Sequence, residues 1–345
     1  MTFKLRFLSV ALLLAAGLAP LAAQPTEPQH FVFVFHRGKN VAEVFDGASL
    51  TRLGSPRVGF GAFRAFGLPG SNDTGAGAKF YVLTPRAVRV FDGGFHETRV
   101  IALNLPALPG RHGAALSSDG KTLIVATSAG AYLIDTASDS VAEYLPAGFE
   151  VSGVALSSDA GRAYLVAAGA ALLRPVDLER RSVLDELALP GAPLESWDRS
   201  TNGLRAIGLG GDSVYALSQK GLVRYTGAIG PLMRSAAQGG TWLASRSAGS
   251  TVEPRKATRR LEATNSGRYF VEEEGRIWRE SLLGGPRELV IDARTHSDVR
   301  LSADGGWDAS PDGDAVFVAN GVGELARMPA DPELPVRSVA LLEAG

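Results

Sequence analysis

Three carboxylates, Asp198, Glu262 and Asp308, hold the same place on the expected inner strands of successive copies of a repeating unit, each just ahead of a short polar turn. In two earlier copies the place is filled by Ala115 and Ala155. At a separation of roughly 8 Å and an effective dielectric of about 40, each pair of such acids would repel by about 1 kcal/mol. A group of this kind calls for a cation or for basic neighbours. Oxygen-only ligands suit Ca2+ or Mg2+. Arg199, Arg259 and Arg260 lie close to the acids in sequence and offer the other solution, ion pairs that hold the fold. Trp197 and Trp307 share a repeat position beside two of the acids. They suit either an aromatic wall at the mouth of a central channel or packing between units. His112, next to Arg111, is a candidate general base and equally a solvated loop residue. The remaining histidines, His30, His36, His96 and His296, are scattered and form no zinc- or copper-type spacing.

Other catalytic signatures are missing. Gly59-Phe60-Gly61 is followed by Arg64 where a dinucleotide fingerprint needs a third glycine. The chain has no phosphate-cradling Gly-Lys-Ser/Thr loop and no Gly-x-Ser-x-Gly nucleophile elbow. A long connector, roughly residues 226–261, carries Arg255, Lys256, Arg259 and Arg260. It reads as a docking loop for an anionic partner or as a solvated insertion.

The repeat itself must position these residues. Ala115-Leu116-Ser117-Ser118-Asp119-Gly120 returns forty residues later as Ala155-Leu156-Ser157-Ser158-Asp159-Ala160, and again as Asp308-Ala309-Ser310-Pro311-Asp312-Gly313. Weaker copies are Arg199-Ser200-Thr201-Asn202-Gly203 and Ala263-Thr264-Asn265-Ser266-Gly267. Short runs of β-formers follow, centred on Phe33, Tyr81, Ile124, Leu165, Tyr215, Phe270 and Phe317 and spaced 41 to 55 residues apart. Asp and Gly give the turn chemistry of a tight hairpin. The runs are apolar without alternation, as when both faces of a sheet are covered. Third strands such as Ala131-Tyr132-Leu133-Ile134-Asp135 end on Asp, and an alternating outer strand follows. A sandwich would not repeat its sequence, and a solenoid would repeat at a shorter period. The reading is an all-β propeller of seven blades, each of about four antiparallel strands. Phe31 to Phe35 matches the second strand of a blade, and residues 24–29 show no inner strand. The first blade therefore has three strands, or the ring closes without the usual exchange between termini.

Asp308 to Gly313 with Val316-Phe317-Val318-Ala319-Asn320, and Ser117 to Ala126 closed by Ile134-Asp135-Thr136, resemble the repeat of YVTN-type, WD-like seven-bladed propellers. The resemblance spans about residues 30 to 343 and is carried by the third, fourth and seventh units. It implies the propeller fold, with export common among members, and no single activity, because propellers host binding proteins, lactonases and redox subunits alike.

The N-terminus reads as a secretory signal: Lys4 and Arg6, an apolar stretch from Phe7 to Leu18, Pro20, then small residues up to Ala23. The stretch is short for a bilayer span. Cleavage after Ala23 leaves a short linker, 24–29, and one domain, 30–345, in the periplasm or outside the cell. It moves the net charge from −1 to −3 by removing Lys4 and Arg6. With 35 basic and 36 acidic residues the chain is no nucleic-acid binder. The lack of cysteine excludes disulfides and thiolate metal sites. The expected function is that of an exported, monomeric, non-enzymatic propeller binding a protein, glycan or small molecule on a flat face. The alternative is a metal-dependent hydrolase of the lactonase type, with Asp198, Glu262 and Asp308 holding Ca2+ or Mg2+ at the central channel.

Overall fold

A computed structural model of the chain describes residues 31–341, apart from 37, 69–77, 109–112, 118, 157–160, 168–171, 189–205, 211–212, 219–220, 227–249, 254–257, 264–267, 274–275, 282–286, 293–305, 311–313, 320–322 and 332–333. The described elements are strands, grouped in seven antiparallel sheets that follow one another along the chain. Five sheets have four strands in sequential order, and the fourth sheet adds the short pair Ser182–Val183 and Leu187–Ala188 beside its third strand. The first sheet has three strands: Phe31–Phe35, Ala42–Asp46 and Arg52–Gly54. Asp46 ends its second strand as Asp92, Asp135 and Asp177 end the third strands of the next sheets. Phe31–Phe35 thus corresponds to the second strand of a full blade.

The second strands explain the continuous apolar runs. In Phe31–Phe35, Phe31, Phe33 and Phe35 pack towards Phe80 and Val82 of the second sheet, while Val32 and Val34 pack towards Ala315 and Phe317 of the seventh. In Lys79–Thr84, Phe80 and Val82 face the first sheet, and Tyr81 and Leu83 face Leu123 and Val125 of the third. Ile124 and Ala126 then meet Ala163 and Leu165 of the fourth sheet. Val316 and Val318 of the seventh meet Phe270 and Ile277 of the sixth. The inner strands of the fourth, fifth and sixth sheets, Val151–Leu156, Ala206–Gly210 and Thr258–Ala263, touch in turn. The first, second, third and seventh sheets are thus covered on both faces by neighbouring sheets, the last packing on the first. This is the β-propeller arrangement, and burial between sheets takes the place of disulfides.

Two strand assignments differ from the sequence reading. The inner strand of the fifth sheet is Ala206–Gly210, with Gly208 opposite Tyr215, so the segment around Asp198 is not that strand. Ala206-Ile207-Gly208-Leu209-Gly210 carries small residues suited to a crowded inner position, and Gly210 pairs directly with Ser213. The connector 226–261 is also not a single loop. Ser250–Glu253 inside it pairs with Leu222–Tyr225 as the outer strand of the fifth sheet, and Arg260 lies on the inner strand of the sixth.

Candidate binding face

Each outer strand leads into the inner strand of the next sheet at the end of the blade where the turn between second and third strands also lies. These connections and turns make one face of the molecule. The third strands hold it from below at one recurrent position, three residues ahead of the terminal Asp. In the second sheet this is Arg89, paired with Glu97 on the outer strand. Arg89 lies so close to Gly59, in the preceding connection, that a Cβ there would come within 2.8 Å of Nε. In the fourth sheet it is Arg174, paired with Glu186. Arg174 packs on Gly148 in the same way, with 2.9 Å from a Cβ there to Nη1, and its Cζ stands 5.4 Å from the centre of the Phe149 ring. In the third sheet it is Tyr132, whose Oη accepts the Leu105 N–H at 2.8 Å and whose ring lies 4.8 Å from Tyr144. In the first sheet the signs are reversed. Glu43, with a side chain only 4 % exposed, accepts from Arg52 and lies 2.9 Å from His36 Nε2. A buried carboxylate needs such partners.

Above Arg174 lies an open groove of about 630 Å3, lined by Ser128, Ala129, Pro146, Gly148, Phe149 and Glu150. Its walls are fixed by main-chain bonds: Ala147 N–H to Ala129 O at 2.9 Å and Val151 N–H to Ser128 O at 3.0 Å. The groove is lined by the Phe149 ring and the Glu150 carboxylate, an apolar surface with one charged group beside it.

The opposite end of the blades is built from the terminal aspartates. Asp46, Asp92, Asp135 and Asp177 each accept main-chain N–H bonds from the turn that follows. Two of these four turns, those after Asp135 and Asp46, also tie sheets together by hydrogen bonds. Asp139 accepts from Lys79 Nζ at 3.0 Å and from Tyr81 Oη at 2.5 Å across the second–third seam. Arg99 of the second sheet donates to Ser138 O at 3.1 Å, and Arg337 of the seventh donates to Ala48 O of the first at 3.0 Å. The seam between last and first sheets uses the same bond as an interior seam.

Of the residues singled out in the sequence, Asp198, Trp197, Arg199 and His112 lie outside the described residues. Glu262 and Asp308 sit on the inner strands of adjacent sheets, opposite Phe270 and Phe317. Asp308 is exposed, and its Oδ1 accepts the Ala309 N–H at 2.9 Å. Trp307 is 2 % exposed and packs in the sixth–seventh seam with Phe270 and Val316. Arg260 shares the strand of Glu262. Among the described residues no three His, Asp or Glu side chains gather in a way that could hold a metal ion. Phe60 and Phe149 were not picked out as site residues. The signal was present: each is an aromatic directly after a glycine, in a connection between blades.

No protein-family model matches the sequence, and a search of curated proteins finds no match. Solved structures do resemble it. The β-propeller domain of Cps50 (Swd1) from Myceliophteria thermophila matches with a TM-score of 0.53 at 15 % identity over 76 % of this chain and 83 % of that one. The dihydro-heme d1 dehydrogenase NirN, in complex with DHE, matches with a TM-score of 0.51 at 12 % identity over 93 % and 77 %. PorZ, a surface component of the type-IX secretion system of Porphyromonas gingivalis, matches with a TM-score of 0.58 at 16 % identity over 91 % of this chain and 37 % of PorZ. At these identities the likeness is one of fold, and the chain is a β-propeller.

Proposed function

We propose that the protein is an exported, non-catalytic binding module that takes a protein, glycan or small molecule on its connection face. The observation that carries this reading is the groove over Arg174, open to solvent yet with walls tied by backbone bonds and a floor held by an ion pair. A rigid scaffold presenting loops is the usual basis of recognition. Export rests on the N-terminal pattern of Lys4, Arg6, an apolar stretch and small residues before Gln24. The structural neighbours include both an enzyme and a surface component of a secretion system, so the fold serves either role.

Affinity capture from the envelope fraction, together with thermal-shift screening against glycan and metabolite panels, tests the reading. A ligand or partner is expected whose affinity falls about tenfold in Phe149→Ser, with circular dichroism showing the variant still folded at the assay temperature even though the loss of its partly buried ring lowers the melting temperature. Turnover of a lactone or ester panel by the purified protein, abolished by a chelator, would replace this reading with the metal-dependent hydrolase.

A further inference from the structure

Three successive connections each turn an apolar side chain outward. Phe60, between the first and second sheets, is 70 % exposed, and Leu105, between the second and third, is 40 % exposed. Phe149, between the third and fourth, is half-buried beside the groove. Isolated exposed apolar residues need no explanation, but these three share one face and one supporting device: Arg89 beneath Gly59, the Tyr132 hydroxyl beneath Leu105, and Arg174 beneath Phe149. The segments between them are continuous. A Cβ on Gly61 would sit 3.3 Å from Pro85, whose carbonyl accepts the Ala107 N–H at 2.8 Å. Leu108 N–H then bonds Ala126 O at 2.8 Å, just before the turn that holds the third connection.

The charge on this stretch is one-sided around Phe60. Arg57 and Arg86 are both exposed and flank the Phe60–Pro85 surface, while Glu150, at the far end, is the one carboxylate among the described residues of these connections and turns. An exposed aromatic and arginines next to one another are the residue types enriched at the energetic centre of protein interfaces. Leu105 in the middle of the row is aliphatic and gives a sugar ring no stacking surface. Spaced apolar pegs along a track fit the alternating side chains of an extended polypeptide.

We infer that this stretch of the face docks an extended segment of a partner protein, apolar at spaced positions and acidic where it crosses Arg57 and Arg86. The inference rests on the binding reading above and gives it a partner chemistry.

A randomised short-peptide library panned against the purified protein tests it. Enriched peptides should combine Phe, Leu or other apolar residues with Asp or Glu. Their affinity should drop about tenfold or more in Phe60→Ser and in Arg86→Glu and weaken as salt is raised. Both positions are exposed, so the melting temperature of each variant should match the parent, which separates lost docking from lost folding. Peptides without acidic bias, peptides indifferent to both substitutions, or no enrichment at all would overturn the inference. So would a neutral glycan, or a second copy of the chain, whose binding Phe60→Ser abolishes. Peptides that bind and ignore these substitutions would leave the binding reading standing, and a protein that binds nothing on any panel would remove both.

Discussion

At Asp139 the backbone adopts φ +50°, a conformation that favours glycine and asparagine, and the carboxylate uses it to reach Lys79 and Tyr81 of the neighbouring sheet. Tyr81 is fully buried, and its hydroxyl also donates to Thr136 O at 3.1 Å. Tyr81→Phe is expected to cost about 1 kcal/mol, the net value of one hydrogen bond. Asp139→Ala leaves both donors without the carboxylate and should cost about 2–3 kcal/mol in urea unfolding. Burial first, and then the bond to Asp139, push the Tyr81 phenol above its ordinary 10.0. The native state therefore holds this proton more tightly than the unfolded chain does. Its contribution to stability is whole below the ordinary tyrosine value and is lost as pH rises above it. Alkaline unfolding of the parent, but less of Tyr81→Phe, should show that loss.

The hairpin turns are where the sequence was most legible. In Ser117-Ser118-Asp119-Gly120, Ser117 Oγ donates to Asp119 at 2.7 Å and accepts the Thr122 N–H at 2.9 Å, and Gly120 takes φ +70°. Ser310 repeats the pattern, accepting the Ala315 N–H at 3.0 Å. The same Ser117 bond, followed by the Lys121 N–H, holds the Asp119 carboxyl below its ordinary range, so what this turn contributes is lost on acidification. The connections on the other face carried a weaker signal, because their glycines answer to side chains distant in sequence. Gly59 and Gly148 have φ +87° and +80°, and a methyl at either meets a guanidinium below. Gly59→Ala and Gly148→Ala should each cost about 1–2 kcal/mol in chemical unfolding, combining left-handed strain with displacement of the arginine. Gly130→Ala, whose methyl would run into the Leu145 carbonyl of the paired strand, should cost more than either.

Across the whole molecule, stability depends on a circuit of seams, and the first–last seam is the one that chain connectivity does not supply. Phe45, Leu50 and Val34 meet Phe317 and Leu325 there, with Arg337 reaching Ala48. Phe45→Ala should cost about 3–5 kcal/mol, the range for a buried Phe. Ending the chain before residue 336, which removes the strand Arg337–Ala340, should lower the melting temperature and open the first sheet to proteolysis. If instead the truncated chain kept the parent's melting temperature and protease resistance, the seam would not be holding the fold.

Local chemistry wrote the repeat, the turns and the β-formers, so blade architecture was readable from spacing alone. Residues such as Phe31-Val32-Phe33-Val34-Phe35 announced burial on both faces, but only packing revealed that the phenylalanines face one neighbour and the valines the other. The fifth inner strand was misplaced because small residues and glycines carry little strand signal, and a nearby Asn-Gly turn competed for the assignment. Which polar residues join sheets and which face solvent was likewise a tertiary decision. Glu43, Arg89, Tyr132 and Arg174 share one site in the blade, yet only the two arginines use the same device, an acid partner beyond the strand and a glycine in the preceding connection, while Glu43 and Tyr132 answer to other partners.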